Sequence, residues 1–489
     1  MTVKMKKNYK INNLNRTKIV ATIGPASGNV EVLETMIANG CSVFRINFSH
    51  GSHESHGQSI ANIREASANL GQNVAILGDL QGPKIRVGAI IGDSFPLEVG
   101  QELLLDSDID DDKGSVDGVS YKCATLAESC EPGRELMLDD GRVQLEVLSV
   151  NGNAIMTKVI AGSKLSSRKG LNLKGGGLAE PALTDKDLAD MKFAASQNVD
   201  YMCVSFPANA EDMRLARGEL DKIGSDAKLI AKLERAEVVA TEQDIDDIIN
   251  ACEGVMVARG DLAIEVGFEA VTSYQKQIVL RARKLNKPVI VATQMMESMI
   301  DSPVPTRAEV SDVANAVFDY ADAVMLSAET AVGDFPIEVI KTVYNVILET
   351  EKHAATQVSK HRVESDFEFT DESIAMATMY MANHYKKVKA IICLTESGNT
   401  ALWMTRIKTH LPIVAVSPKE GTRNLVALYR GVRPIDSPKT DDRDVLVSQA
   451  VSFVKENLGL EKGDLVAVTL GDIIGIDGHT NTLKLMKID

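Results

Sequence analysis

Eight short apolar runs recur along the first two thirds of the chain, and their spacing limits the fold more than any other feature. They are KIVATIG (18–24), CSVFRINFS (41–49), VAILGDLQ (74–81), VDYMCVSF (199–206), KLIAKLE (228–234), GVMVARGDL (254–262), PVIVATQ (288–294) and AVMLSAE (323–329). Runs of this length and composition suit strands buried on both faces. Most intervals between them carry helix-period patterns, such as NVEVLETMIANG (29–40) and EAVTSYQKQIVLRARKLN (269–286). Eight parallel strands returned by helices predict an α/β fold built on a (β/α)8 TIM barrel.

One interval breaks the rhythm. Between the third and fourth runs lies a long segment entered at Gly82-Pro83 and left near KGGGLAEPALTDKDLADM (174–191). Its middle is rich in Val and Leu between turn clusters, which predicts short antiparallel strands. The acidic stretch DSDIDDDKG (106–114) reads as a solvated loop tip. A long helix expected to end near 360 precedes a second βα pattern, with strands at 388–395, 411–417, 432–436 and 464–471 and helices at 372–387 and 444–459. The expected domains are a barrel at 1–82 and 180–350, an inserted β domain at 83–179, and a C-terminal α/β domain at 351–489.

The formal net charge of −15 disfavours nucleic acid and anionic membranes as partners. Local clusters such as Lys84 and Arg86 still allow a small anionic substrate. The six cysteines form no CxxC pair and read as small buried hydrophobes of a reducing compartment. The basic start MTVKMKKNYK is followed by no apolar core of a signal peptide, and no apolar stretch is long enough for a bilayer. A cytoplasmic location is expected.

The polar residues fall where such a barrel places its active site, at the C-terminal ends of the strands. Arg45, Asn47 and Ser49 alternate on the second run. Lys232 and Glu234 close the fifth, and Arg259 and Asp261 flank Gly260 at the end of the sixth. Thr293 ends the seventh, and Ser327 and Glu329 the eighth. One charged strand end is ordinarily a solvated cap, but repetition at the same end of several strands is not explained that way. Glu234 and Asp261 are hard carboxylates of the kind that hold Mg²⁺, and Arg45, Arg86 and Lys232 supply positive charge. That equipment suits phosphoryl transfer. The crowded His50, His53 and His56 read as a polar loop rather than a zinc site.

At these residues the sequence resembles pyruvate kinase. The resemblance runs through TKIVATIGPAS (17–27), FRINFSHG (44–51), DLQGPKIR (79–86), KLERAE (232–237), MVARGDL (256–262), ATQMMESM (292–299) and MLSAETAVGDFP (325–336). It implies a barrel with an inserted small β-barrel lid, a C-terminal regulatory domain, and phosphate transfer from phosphoenolpyruvate to ADP. By motif, Lys232 and Arg45 would meet the phosphoryl group, and Glu234 and Asp261 would hold Mg²⁺. Thr293, Ser327 and Glu329 would serve enolate protonation, and Asn47, His50, Arg86 and Lys169 the nucleotide side. Gly260 is expected at a sharp turn where a β carbon would crowd the substrate. The loop Thr395, Ser397, Gly398, Asn399 and Thr400 would hold the phosphate of an effector, although Asn399 stands where many relatives carry arginine. A homotetramer is implied by the resemblance alone.

The stretch GDLQGPKIRVG (78–88) departs from the commoner family pattern. Many relatives hold K⁺ with groups matching Asn47, Ser49, Asp79 and the carbonyl of Leu80, and carry glutamate where this chain has Lys84. The departure implies that the Lys84 ammonium replaces K⁺, so that Mg²⁺ is needed and K⁺ is not. Another Mg²⁺-dependent barrel enzyme, such as an aldolase or phosphomutase, and a non-catalytic relative are the competing readings.

Overall fold

The computed structural model describes residues 15–177, 181–357, 362, 365–437, 440, 442–473, 475 and 477–489. The basic start at 1–10 and the expected lid boundary at 179/180 lie outside them. All eight expected barrel strands form: β1 (Lys18–Thr22), β2 (Cys41–Asn47), β3 (Ala75–Asp79), β4 (Tyr201–Val204), β5 (Lys228–Leu233), β6 (Gly254–Ala258), β7 (Val289–Ala292) and β8 (Ala323–Leu326). Each pairs in parallel with its sequence neighbours, and β8 closes on β1.

Strand periodicity divides the side chains into two buried sets. Ile19, Phe44, Ile76, Met202, Leu229, Val255, Val291 and Val324 point outward and pack under the helices. Val20, Val43, Leu77, Cys203, Ile230, Met256, Ile290 and Met325 fill the barrel interior. Fully burying one such aliphatic side chain contributes about 1.5–3 kcal/mol. The helices start at defined points because Asn29, Ser52, Thr184, Asn209, Thr241 and Thr306 each accept an N–H of the first turn. Those caps fix the loops that follow the strand ends.

The inserted domain leaves the barrel after β3. Gly82 has φ +67°, and a Cβ there would lie 2.8 Å from both the Cβ and the carbonyl oxygen of Ser205. The hinge therefore requires glycine. Beyond it, a six-stranded sheet and a two-stranded ribbon enclose their own apolar core. The six-stranded order runs openly from Leu171–Leu173 at one edge to Gly118–Val119 at the other.

The C-terminal domain carries β9 (Val388–Leu394), β10 (Ile413–Ser417), β11 (Val432–Asp436) and β12 (Leu465–Gly471), as expected, and also β13 (Thr480–Lys487). Their order is β11-β10-β9-β12-β13, with β13 antiparallel. Three local expectations are corrected. The helix expected to end near 360 is Pro336–Glu351, where the Arg16 guanidinium donates to the terminal Glu351 carbonyl at 2.6 Å; residues 358–361 lie outside the described set. RGDL does not extend β6 but opens the helix Arg259–Val266. Gly260 therefore sits in a first helical turn rather than a sharp bend, and an added Cβ would touch Thr293 at an ordinary 3.6 Å.

Candidate active site at the barrel mouth

The site follows from the period of two. Two residues above the interior layer of Val20, Val43, Leu77, Cys203 and Ile230 stand Thr22, Arg45, Asp79, Ser205 and Lys232, all directed inward. They bond to one another. Arg45 Nε donates to Asp79 Oδ2 at 2.6 Å, and its Nη1 donates to Thr22 Oγ1 at 3.0 Å. Lys232 Nζ donates to Ser205 Oγ at 2.8 Å and to Glu234 Oε1 at 3.0 Å, and lies 3.4 Å from Asp79 Oδ1. Ser205 Oγ in turn donates to the Leu80 carbonyl at 2.7 Å.

This is a buried network of two cations and two carboxylates. Burial opposes the charge on Lys232, but Asp79 and Glu234 outweigh it and raise the ammonium above the ordinary lysine value. Burial also pushes the Asp79 carboxyl up, yet Lys232 and Arg45 reverse the sign and hold it below its usual range. Glu234 is pushed up by burial, against the pull of Lys232 and with a further push from Asp261. Its Oε2 accepts the Phe206 N–H at 2.9 Å. Lys232 therefore keeps its charge at neutral pH, with its Nζ fixed by three oxygens.

The loops after β6 and β7 add the next shell. Asp261 lies near enough to Glu234 to raise it, and its Oδ1 accepts from Lys84 Nζ at 3.0 Å. Thr293 and Gln294 both adopt left-handed backbone, at φ +68° and +51°. For a β-branched residue that conformation is strained, at a cost of about 1–3 kcal/mol. Arg259 clamps the loop, donating to the Ala292 carbonyl at 3.2 Å, the Thr293 carbonyl at 2.6 Å and Asp312 at 2.6 Å. It thus holds the loop instead of joining the mouth as a charge. The Thr293 hydroxyl accepts the Gly260 N–H at 2.8 Å and donates to the Ala292 carbonyl. Glu329 is buried, and its carboxylate accepts the N–H groups of Met296 and Ser327, tying together the loops after β7 and β8.

Residues 14–340 match the family model "Pyruvate kinase, barrel domain", and residues 372–486 match "Pyruvate kinase, alpha/beta domain". The chain belongs to the pyruvate kinase family. It is 50% identical to "Pyruvate kinase II" of Salmonella typhimurium (strain LT2), over 97% of this chain and 99% of that protein. It is 48% identical to "Pyruvate kinase" of Haemophilus influenzae, over 94% and 96%, and 39% identical to "Pyruvate kinase 2" of Synechocystis, over 96% and 79%. The chain is accordingly an enzyme of the phosphotransferase class.

Other residues named by the pyruvate kinase resemblance stand apart from this network. Arg86 is exposed on the lid and donates to the Arg168 carbonyl at 3.1 Å, and Lys169 pairs with Asp139 at 2.8 Å. His50 is exposed, and Asn47 Oδ1 accepts the Ser49 N–H at 3.1 Å. Lys84 meets Asp261 rather than the Asn47, Ser49 and Asp79 group. His53 pairs with Asp190 at 2.7 Å and stacks on Phe193. Thr395, Ser397 and Thr400 line a cavity of about 420 Å³ in the C-terminal domain, together with Arg443 and His479. Among the described residues no helix is long and apolar enough to cross a membrane.

Sequence reasoning missed Ser205, Thr22 and Glu265. Ser205 carried a signal, being the polar residue at the end of the fourth run. Glu265 lies where the lid returns to the barrel; its Oε2 accepts the Ala236 N–H at 2.7 Å, and its backbone carbonyl accepts the Gly175 N–H at 3.0 Å. Burial pushes its carboxyl up to about 8. A raised carboxyl binds a proton that the unfolded chain releases near pH 4.3, so stability falls as pH rises from about 4.3 to about 8. Glu265→Gln is expected to leave the thermal midpoint unchanged at pH 4 and to raise it by about 3 °C or more at pH 9. Differential scanning calorimetry at the two pH values checks this, and equal shifts at both would sink the argument.

Proposed function

We propose that this chain transfers the phosphoryl group of phosphoenolpyruvate to ADP, giving pyruvate and ATP. The observation that carries the reading is the Lys232 ammonium, buried and held by Ser205, Glu234 and Asp79 beside Arg45. In the reaction the bond from phosphorus to the enol oxygen breaks, a bond to an ADP phosphate oxygen forms, and the enolate takes a proton on its methylene carbon. Little covalent work falls to the protein, so positioning and charge stabilisation carry the catalysis. Lys232, a compact charge with fixed surroundings, meets the phosphoryl oxygens in flight. Arg45 uses Nε and Nη1 on Asp79 and Thr22, which leaves its outer N–H groups for the same phosphate. Thr293 positions the reacting end of the substrate, while Glu329 holds the two loops that carry Thr293 and Ser327. Arg86, Lys169, Asn47 and His50 take the nucleotide side when the lid domain closes and excludes water.

Glu234 and Asp261 fit Mg²⁺, which binds through one or two carboxylates plus substrate oxygens and water rather than a full protein cage. Among the described residues no larger cluster of His, Cys, Asp or Glu competes with that pair. When bound there, the ion supplies charge neutralisation of the substrate carboxylate and phosphate. Lys84, where many relatives carry glutamate, supplies the positive charge that K⁺ otherwise brings, so the enzyme is K⁺-independent. The cavity of the C-terminal domain receives a phosphorylated effector on the loop from Thr395 to Thr400, including Gly398 and Asn399. The homotetramer rests on the family resemblance alone, and free, mostly buried cysteines support the cytoplasmic location.

A lactate dehydrogenase-coupled assay, run with and without ADP and with K⁺ replaced by a bulky ammonium salt, tests the proposal. Pyruvate formation is expected to require ADP and to proceed at a similar rate without K⁺, and Lys84→Glu should lower the K⁺-free rate at least tenfold. No ADP-dependent pyruvate would overturn the reading in favour of a lyase, a phosphomutase or a non-catalytic relative, whereas pyruvate formed equally without ADP would mean transfer of the phosphoryl group to water. A strict K⁺ requirement in the wild type would remove the role given to Lys84.

A further inference from the structure

The Lys84 ammonium is bound to one of the two carboxylates assigned to the metal. Its Nζ lies 3.0 Å from Asp261 Oδ1, with both side chains about four-fifths buried. It also lies 5.9 Å from the centre of the Phe206 ring, whose backbone N–H is held by Glu234. The cation therefore stands at the edge of the Glu234–Asp261 pair, the place where a divalent ion would be drawn. Its stem starts just past the Gly82-Pro83 hinge and passes the bare Cα of Gly170, where an added Cβ would come within 3.0 Å of Lys84 Cε. A cavity of about 30 Å³, lined by Pro83, Phe206, Asn172 and Glu265, borders the same side chain and leaves the stem free on that side.

We propose that Lys84 is a tethered competitor for the divalent metal at Asp261. It keeps the carboxylate neutralised until substrate arrives, so that metal binds weakly to the free enzyme and strongly with substrate. The proposal rests on the reading of Asp261 as a metal carboxylate. The ammonium on Oδ1 offsets the charge of Asp261 and repels a divalent ion that approaches the same carboxylate through either oxygen. Metal entry is therefore opposed until Lys84 moves away. The bound substrate lowers that barrier, since its phosphate and carboxylate offer the displaced ammonium a new anionic partner. Lys84 would then occupy two places in turn, on Asp261 in the free enzyme and beside the phosphate in the complex.

The test is Mn²⁺ binding to the full-length protein without substrate, followed by the electron paramagnetic resonance signal of the free ion. Lys84→Met keeps the length of the stem and removes the charge, and Lys84→Gln serves as a second variant. Both are expected to tighten Mn²⁺ binding about tenfold, since a partly buried pair exceeds the small value of an exposed one. Asp261→Asn should abolish the site, and Lys84→Met/Asp261→Asn should match Asp261→Asn alone. If both Lys84 variants bind Mn²⁺ as the wild type does while Asp261→Asn removes the site, competition by Lys84 is overturned and the metal reading stands. If Asp261→Asn leaves Mn²⁺ binding intact, the metal reading of Asp261 fails and takes this proposal with it.

Discussion

Lys232→Met should lower kcat by about a thousandfold or more, with the KM for phosphoenolpyruvate changed by less than about threefold. The reasoning starts from position. Lys232 Nζ is fixed by Ser205 Oγ, Glu234 Oε1 and Asp79 Oδ1 before any substrate arrives. A donor fixed in advance stabilises charge as it develops without reorganising, so its loss falls on the chemical step rather than on binding. Arginine should restore little, because a planar guanidinium cannot place its donors toward the same three oxygens from one nitrogen. The substitution also leaves Asp79 and Glu234 buried with only Arg45 as a close counter-charge, at a cost of about 3–5 kcal/mol. Stability and catalysis must therefore be read separately, with kcat taken well below the thermal midpoint of the variant. A loss below tenfold in folded Lys232→Met would remove this lysine from the chemistry.

Much of the architecture was legible because a barrel strand buried on both faces writes itself as an apolar run. The inward position two residues above that run must then be polar where it meets the mouth. That rule reached Arg45 and Lys232 directly. It missed Ser205, since a single hydroxyl at the end of VDYMCVSF does not interrupt the pattern as a charge does. RGDL reads as strand in the sequence because the switch to helix is decided by where barrel pairing stops, at Ala258, and not by composition. At the end of the long helix the Glu351 carbonyl is satisfied by Arg16, which is far off in sequence. β13 is an edge strand whose alternating side chains are largely exposed, so it lacks the apolar run that marks its neighbours. The partner of Lys84 was hidden for a related reason. A flexible four-carbon stem can reach several carboxylates, and only the folded hinge puts it on Asp261.

Asp79 separates two roles that the sequence cannot distinguish. By resemblance it belongs to the groups that hold a monovalent ion, whereas here its carboxylate is shared by Arg45 and Lys232. Asp79→Asn keeps the shape and one carbonyl acceptor but removes the charge, leaving two buried cations with Glu234 as their nearest remaining counter-charge. Stability at pH 7 is expected to fall by about 3–5 kcal/mol, seen as a lower urea midpoint for the transition that reports the barrel. The pH dependence gives a second readout. Burial raises the Asp79 carboxyl, but Lys232 and Arg45 depress it further than burial lifts it, so its net displacement is downward. A depressed carboxyl stabilises the fold above its unfolded value near 3.9 and loses that contribution as pH falls through its folded value. The gap between wild type and Asp79→Asn should therefore be full at pH 7 and narrow steadily below about pH 4. Catalysis should fall about a hundredfold, because Lys232 Nζ, released from one of its three oxygens, moves toward Glu234 and away from the phosphoryl position. If Asp79→Asn kept wild-type stability at pH 7 and lost only a response to monovalent salt, its charge would belong to an ion site and not to this pair of cations.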